Sequence, residues 1–221
     1  MQLSNITVVI PCRKGSQRVK NKNFKNFSDS SLLEIKINQA KKLGLNVVVN
    51  SDSEIAEKIS KDNDIGFIQR PKYYASSECN NSEHYEYLGK SVSTDLIMIL
   101  QPTAPLIKDE TLKKCLEMFI SNIDSYDSLV TSQYAKKHVW FNNKPINYNL
   151  KNTQNSQDLK SGILPTFGVI ICKTKKLIEC RNVITDRCLF YKIDDVESIE
   201  IDTELEFEIA EFLYNKRIYN D

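Results

Sequence analysis

The chain has 221 residues, with 30 Lys plus Arg against 29 Asp plus Glu, for a formal net charge of +1. Apolar residues make up 41% and charged residues 27%, a balance that excludes a wholly disordered chain. With no excess of cations to neutralise a phosphate backbone, nucleic acid is not the expected partner, and the length suits a single domain, residues 1–221, with a buried core.

Ile6 to Ile10 is a short apolar run that reads as a buried strand, ended by Pro11. A polar, basic stretch follows, with Arg13, Lys14, Arg18, Lys20 and Lys22 around Gly15-Ser16. Ser31 to Leu43 has helical spacing and stops at Gly44. Val47-Val48-Val49 centres a second strand over 46–50. Ser51-Asp52-Ser53 then starts a helix, with Asp52 read as its N-cap. Gly66 to Gln69 is a third strand and Asn80 to Val92 a helix. Leu96 to Leu100 is continuously apolar, as a central parallel strand requires. Asp109 to Phe119 is a helix and Ser128 to Ser132 a strand. Tyr134 to Ile163 is polar and aperiodic, too long for an ordinary connection, and predicts a binding loop or an excursion hairpin. Strands are expected at Phe167–Cys172 and Leu189–Ile193. A short extended segment at 199–203 precedes a closing amphipathic helix at 204–217.

Alternating strands and helices predict an α/β fold: a Rossmann-like, mostly parallel sheet with helices on both faces. Ligands of such sheets bind beyond the carboxyl ends of the strands, where the segments after Ile10, Asn50 and Leu100 fall. The chain shows no internal repeat and no low-complexity linker. The start of the sequence lacks a basic, long-apolar leader, and no stretch approaches the roughly 20 apolar residues that span a bilayer, so a cytoplasmic protein without membrane contact is expected. The six cysteines include no CxxC pair and there are two histidines, His84 and His138, so neither zinc nor a disulfide framework is expected. Cys115 and Cys172 sit in apolar contexts, and Cys12 reads as a small space-filling residue.

Neither GxxxxGK[ST] nor GxGxxG follows the first strand, which disfavours a P-loop NTPase and a dinucleotide dehydrogenase. The basic stretch offers other phosphate chemistry. Gly15 allows close backbone approach, Ser16 can donate a hydrogen bond, and arginine grips phosphate oxygens two at a time. Taken alone, such a stretch is more often a solvated charged loop; its place at a strand's carboxyl end balances the two readings. Glu200 and Asp202, two residues apart on an extended segment, point to one face, where a cation would relieve their repulsion.

The stretch IPCRKGSQRVKNKN (10–23) resembles the nucleotide-binding signature of the acylneuraminate cytidylyltransferase family. Four later segments resemble that family's elements in the same order: NSDSEIA (50–56), RPKYYA (70–75), LQPTAPL (100–106) and SIEIDTELEF (198–207). The resemblance covers most of the chain. It implies a sheet of the nucleotide-diphospho-sugar transferase type and transfer of CMP from CTP to a sialic-acid-like 2-keto sugar acid, with release of pyrophosphate, to supply surface glycan synthesis. By resemblance, Arg13, Ser16, Lys22, Asn23 and Arg70 hold the nucleotide. Asn81 or Ser82 meets its base or ribose, Gln101 positions the sugar, and Asp202 with Glu200 binds Mg²⁺. Arg13, Lys22 and Asp202 are the implied catalytic set. Members often dimerise through an excursion that also reaches an active site, which assigns 134–163 to a homodimer contact, with His138, Trp140 and Phe141 as candidate interface residues.

The chain departs from the pattern in several places. Lys14 replaces a commoner Gly, Gln17 replaces a Lys, and Glu200 replaces an Asp. Ser156 stands for the Arg of an RQDLP-like element, and Phe167 for the Asn of an NGAIYI-like element. The last two lie in the half expected to recognise the sugar. The nucleotide half matches better, so alternatives of a Kdo-type or other acceptor, or a noncatalytic nucleotide-binding protein, stay open here.

Overall fold

A computed structural model describes residues 5–16 and 18–218. Strand β1 (Ile6–Pro11) is buried along its whole length. The minimal hairpin β2 (Asn26–Phe27) and β3 (Ser30–Ser31) leads into α1 (Leu32–Lys41), whose Ser31 cap accepts from the Glu34 amide. Next come β4 (Asn46–Ser51), α2 (Glu54–Asp62), β5 (Gly66–Gln69), the single turn α3 (Lys72–Ala75) and α4 (Asn81–Lys90). The fully buried β6 (Leu96–Leu100), α5 (Asp109–Ser121) and β7 (Ser128–Ala135) follow. A small outer hairpin, β8 (Trp140–Phe141) with β9 (Lys144–Pro145), precedes β10 (Gly162–Lys173), α6 (Thr174–Cys180), β11 (Cys188–Lys192) and α7 (Glu204–Ile218).

The main sheet has seven strands in the order β11-β7-β10-β6-β1-β4-β5. All neighbours are parallel except β10, which runs antiparallel to both β6 and β7. The strand period of two sorts the core. Val8, Ile10, Met98, Leu100 and Ile171 face one cluster with α1 and α5; Val9, Ile97, Ile99 and Ile170 face another with α4 and α6. Cys115 and Cys172 are core residues as expected. The chain leaves β1 to build one half of the sheet and returns at β6 to build the other, so the carboxyl ends of β1 and β6 open onto the switch-point crevice.

A third cluster lies outside the sheet. Val19 of the loop after β1, Phe27, Leu32, Leu106, Ile201 and Phe207 are packed together, with Phe27 meeting Phe207 edge-on at 5.3 Å between ring centroids. It joins the start of the chain to its last helix.

The structure refines the sequence reading in several places. The expected strand 167–172 begins at Gly162, because its exposed first residues pair with the end of β7 (Gly162 opposite Ala135, Leu164 opposite Gln133). The segment 134–163 is thus two sheet arms carrying residues 136–161 outward. Residues 199–203, read as a short extended segment, join no ladder, and the Ile201 amide donates to the Thr103 carbonyl at 2.8 Å. Helix α6 carries no marked apolar period and was not foreseen. Asp52 does not cap α2; Ser53 takes that position, and the Asp52 carboxylate accepts from the Lys14 amide at 2.8 Å, tethering the basic loop.

The β7–β10 register shifts between Pro165 and Ile170, and within that shift Phe167 has φ 56°. A left-handed backbone at an aromatic residue costs about 1–3 kcal/mol. Before it, Thr166 Oγ1 donates to the Thr131 carbonyl at 3.1 Å. Thr131 Oγ1 accepts from the Val169 amide at 3.0 Å, the Gln101 amide donates to the Gly168 carbonyl at 3.2 Å, and a Cβ at Gly168 would meet that of Ala104 at 3.0 Å.

Candidate active site

At the crevice lies an open cavity of about 560 Å³. Its floor is the carboxyl end of β1 and the loop beyond β6. One wall is the basic loop 12–23, the opposite wall the first turn of α4, and Asp202 closes the end. Arg13, Ser16, Lys22, Asn23, Arg70, Asn81, Gln101 and Asp202 all line it. Ser82 and Glu200 do not; they line a second cavity of about 350 Å³, which shares Asn81, Tyr85, Gln101 and Thr103 with the first. Gln17 lies outside the described residues.

The cations are held rather than loose. Arg70 is buried, and its guanidinium donates from Nε to Asn50 Oδ1 at 2.7 Å and from Nη2 to the Asn50 carbonyl at 2.9 Å. Asn50 in turn donates to the Tyr87 hydroxyl at 3.0 Å, and Tyr87 stacks on Tyr74 at 4.1 Å. Lys22 is nearly buried; it donates to the Ile201 carbonyl and approaches Asp202 Oδ1 at 3.5 Å. Burial pulls its pKa down, and Asp202 opposes that. Arg18 reaches the same Asp202 oxygen at 2.8 Å from the exposed side. Asp202 is set in place by Glu206, whose Oε2 accepts from the Asp202 and Thr203 amides at 2.8 Å each while Thr203 Oγ1 accepts from the Glu206 amide, a reciprocal cap at the start of α7.

Two buried polar atoms in the cavity wall have no hydrogen-bond partner among the described residues: Asn23 Oδ1 and His84 Nδ1. Such atoms are rare in folded proteins and mark places where a ligand or water completes the bonding. Burial pushes the His84 imidazole down to about 3, with Arg70 and Arg13 adding to the effect, so it is neutral at physiological pH. Cys12 is buried, and burial raises its thiol to about 11, which removes it as a nucleophile and supports its space-filling reading. Burial, then the charge of Asp202, raises the Glu200 carboxyl to about 8. Among the described residues no group of three or more His, Cys, Asp or Glu side chains is placed to hold a metal ion by itself. Asp202 offers a hard oxygen donor, which suits a cation whose remaining positions come from phosphate and water; Glu200 can join it only as the carboxylate, the form that burial disfavours.

Sequence reasoning missed His84, Tyr85, Tyr74 and Thr103 as cavity residues. Spacing could have found two of them: His84 and Tyr85 follow Asn81 by three and four residues, one face of a helix.

Residues 7–220 match the model of a protein family described as Cytidylyltransferase. The chain belongs to the cytidylyltransferase family. As a cytidylyltransferase it is an enzyme that transfers CMP from CTP. Its sequence is 27% identical over 234 residues to the post-translational flagellin modification protein B of Campylobacter coli, covering 97% of each chain. It is 27% identical over 219 residues to a pseudaminic acid cytidylyltransferase of Campylobacter jejuni, covering 93% of this chain and 94% of that one. The N-acylneuraminate cytidylyltransferase of Escherichia coli is 22% identical over 225 residues, covering 97% of this chain and 53% of that one. Among solved structures, a CMP:2-keto-3-deoxy-manno-octonic acid synthetase complexed with CTP superposes with a TM-score of 0.70 at 14% identity, covering 97% of this cytidylyltransferase and 100% of that chain, a likeness of fold.

Proposed function

We propose that this cytidylyltransferase joins CMP to an acidic 2-keto sugar of the nine-carbon, sialic-acid-like class. The observation that carries the reading is the clustering of Arg13, Arg18 and Lys22 at the carboxyl end of β1, across the cavity from α4 and closed by Asp202. The triphosphate lies against this cationic wall, with Ser16 and the orphaned Asn23 Oδ1 as polar partners at its edge. Arg70, fixed by Asn50, and Asn81 on α4 hold the nucleoside. Gln101 lines both cavities and orients the acceptor, whose carbon chain extends into the second one.

The acceptor hydroxyl oxygen bonds to the α-phosphorus, the bond to the β-phosphate oxygen breaks, and pyrophosphate leaves. Negative charge grows on the leaving pyrophosphate, and Arg13, Arg18 and Lys22 stabilise it from positions set before reaction begins. Asp202 and Glu200 would hold Mg²⁺. When bound, that ion supplies Lewis acidity at the phosphate and acidifies the attacking hydroxyl. Arg18 and Lys22 converge on Asp202 and hold its carboxylate at the end of the cavity.

Incubation with CTP, Mg²⁺ and a panel of acid sugars is expected to release pyrophosphate. Tight CTP binding with no release from any acid sugar overturns the reading.

The same reading makes the enzyme a cytoplasmic homodimer. No described helix is long and apolar enough to cross a membrane. The outward segment exposes Trp140, Phe141, Ile146 and Leu150, apolar side chains that a second copy would cover. Sedimentation is expected to give a dimer for the wild type and a monomer for a Trp140→Ser, Phe141→Ser variant.

A further inference from the structure

We infer that Phe167 is a specificity-determining residue, its ring presented to the second cavity to receive a methyl-bearing substituent of the acceptor where the family pattern has a polar side chain. The inference rests on the proposed acceptor reading and narrows it.

Three observations carry it. First, Phe167 has φ 56°, a region that bulky side chains avoid and Asn tolerates. The resembling element carries Asn at this place, so the backbone shape is compatible with the pattern while this chain sets an aromatic on it against local preference. Second, the conformation is held from outside. The hydrogen bonds at Thr166, Gly168 and Val169, and the close approach of Gly168 to Ala104, fix the turn on both sides. Backbone strain that surroundings maintain in this way gathers at functional sites. Third, the ring is half-buried. It packs against the cluster beneath β10 and also lines the second cavity, with Tyr85 and Val183 as apolar neighbours and Gln101 as the link to the nucleotide cavity.

The polar and charged lining, Asn81, Ser82, Asn182, Arg181 and Glu200, serves the hydroxyls and carboxylate of an acid sugar. An apolar wall among them offers nothing to a hydroxyl and would strip it of water without return. It suits a methyl group, whether of an acylamino or a deoxy substituent. Discrimination by one such group in an apolar site is about tenfold or more.

The test compares kcat/KM for two acceptors: a nine-carbon 2-keto acid with acetamido groups, and 2-keto-3-deoxy-manno-octonic acid, which carries hydroxyls alone. Wild type is expected to prefer the acetamido acid. Phe167→Asn, which keeps the left-handed backbone, is expected to cut that preference about tenfold through acceptor KM, leaving KM for CTP unchanged; Phe167→Leu is expected to retain most of the preference. A preference left intact in Phe167→Asn overturns the inference alone. Wild-type enzyme that binds CTP but releases pyrophosphate with neither acid overturns the acceptor reading, and this inference with it.

Discussion

Asp202 Oδ1 is the point where Arg18 and Lys22 converge. Replacing the carboxylate by an amide keeps the shape and removes the charge, so Asp202→Asn is expected to lower pyrophosphate release by about 10²- to 10³-fold while CTP still binds. A steady-state assay beside a CTP titration checks it. Cys12 makes the opposite point. Its position in the nucleotide loop invites a catalytic role, but burial raises the thiol to about 11. Iodoacetamide at pH 7.5 is therefore expected to label exposed Cys180 and leave Cys12 unmodified, read by peptide mass mapping. At this scale the sequence was legible where charge density carried the signal, as in the loop 12–23. Gly15 is exposed there with nothing packed against it, so the loop's shape rests on tethers such as Asp52 to Lys14. Those tethers cross the chain and leave no local mark. Asp52 reads as a helix cap for that reason.

Helix α4 shows what an element adds. Asn80 and Glu83 cap its first turn reciprocally, and that turn presents Asn81, His84 and Tyr85 to the cavity. Asn80→Ala is expected to cost about 1 kcal/mol, a fall of roughly 2–4 °C in Tm for a chain of this size, with a rise in KM for CTP. Calorimetry and kinetics on one preparation check both. The parallel strands β1, β4 and β6 were legible because each is apolar on both faces. The first half of β10 was not, because Gly162, Ile163 and Leu164 are exposed, show no alternation with polar residues, and take their order from pairing with β7. Helix α6 was hidden for a related reason: only Thr174 and Leu177 of its seven residues are buried.

Across the whole molecule, the least conventional burial is Lys36. It lies on α1 beneath the loop after β6 and has no ion-pair partner among the described residues; its Nζ donates to the Ala104 carbonyl at 2.9 Å and to Gln39 Oε1 at 2.8 Å. A neutral amine has two hydrogens for those two acceptors. Burial lowers its pKa to about 7 from 10.5. Between those values the unfolded chain binds the proton and the folded one does not. Stability therefore rises with pH across that window, and below pH 7 the cost of burying the charge is fully present. Lys36→Met removes this contribution, so the variant's unfolding free energy is expected to climb less between pH 7 and pH 10 than that of the wild type. Urea titrations at stepped pH measure the difference.

The cluster of Val19, Phe27, Leu32, Leu106, Ile201 and Phe207 has a consequence for synthesis. The strands of the sheet leave the ribosome before residue 201, but the triphosphate wall at 12–23 gains its apolar backing only when Ile201 and Phe207 emerge. A chain truncated after residue 195 would keep all seven strands of the sheet and lose the apolar backing of its phosphate grip. The grip therefore sets only after the sheet that carries it has been made.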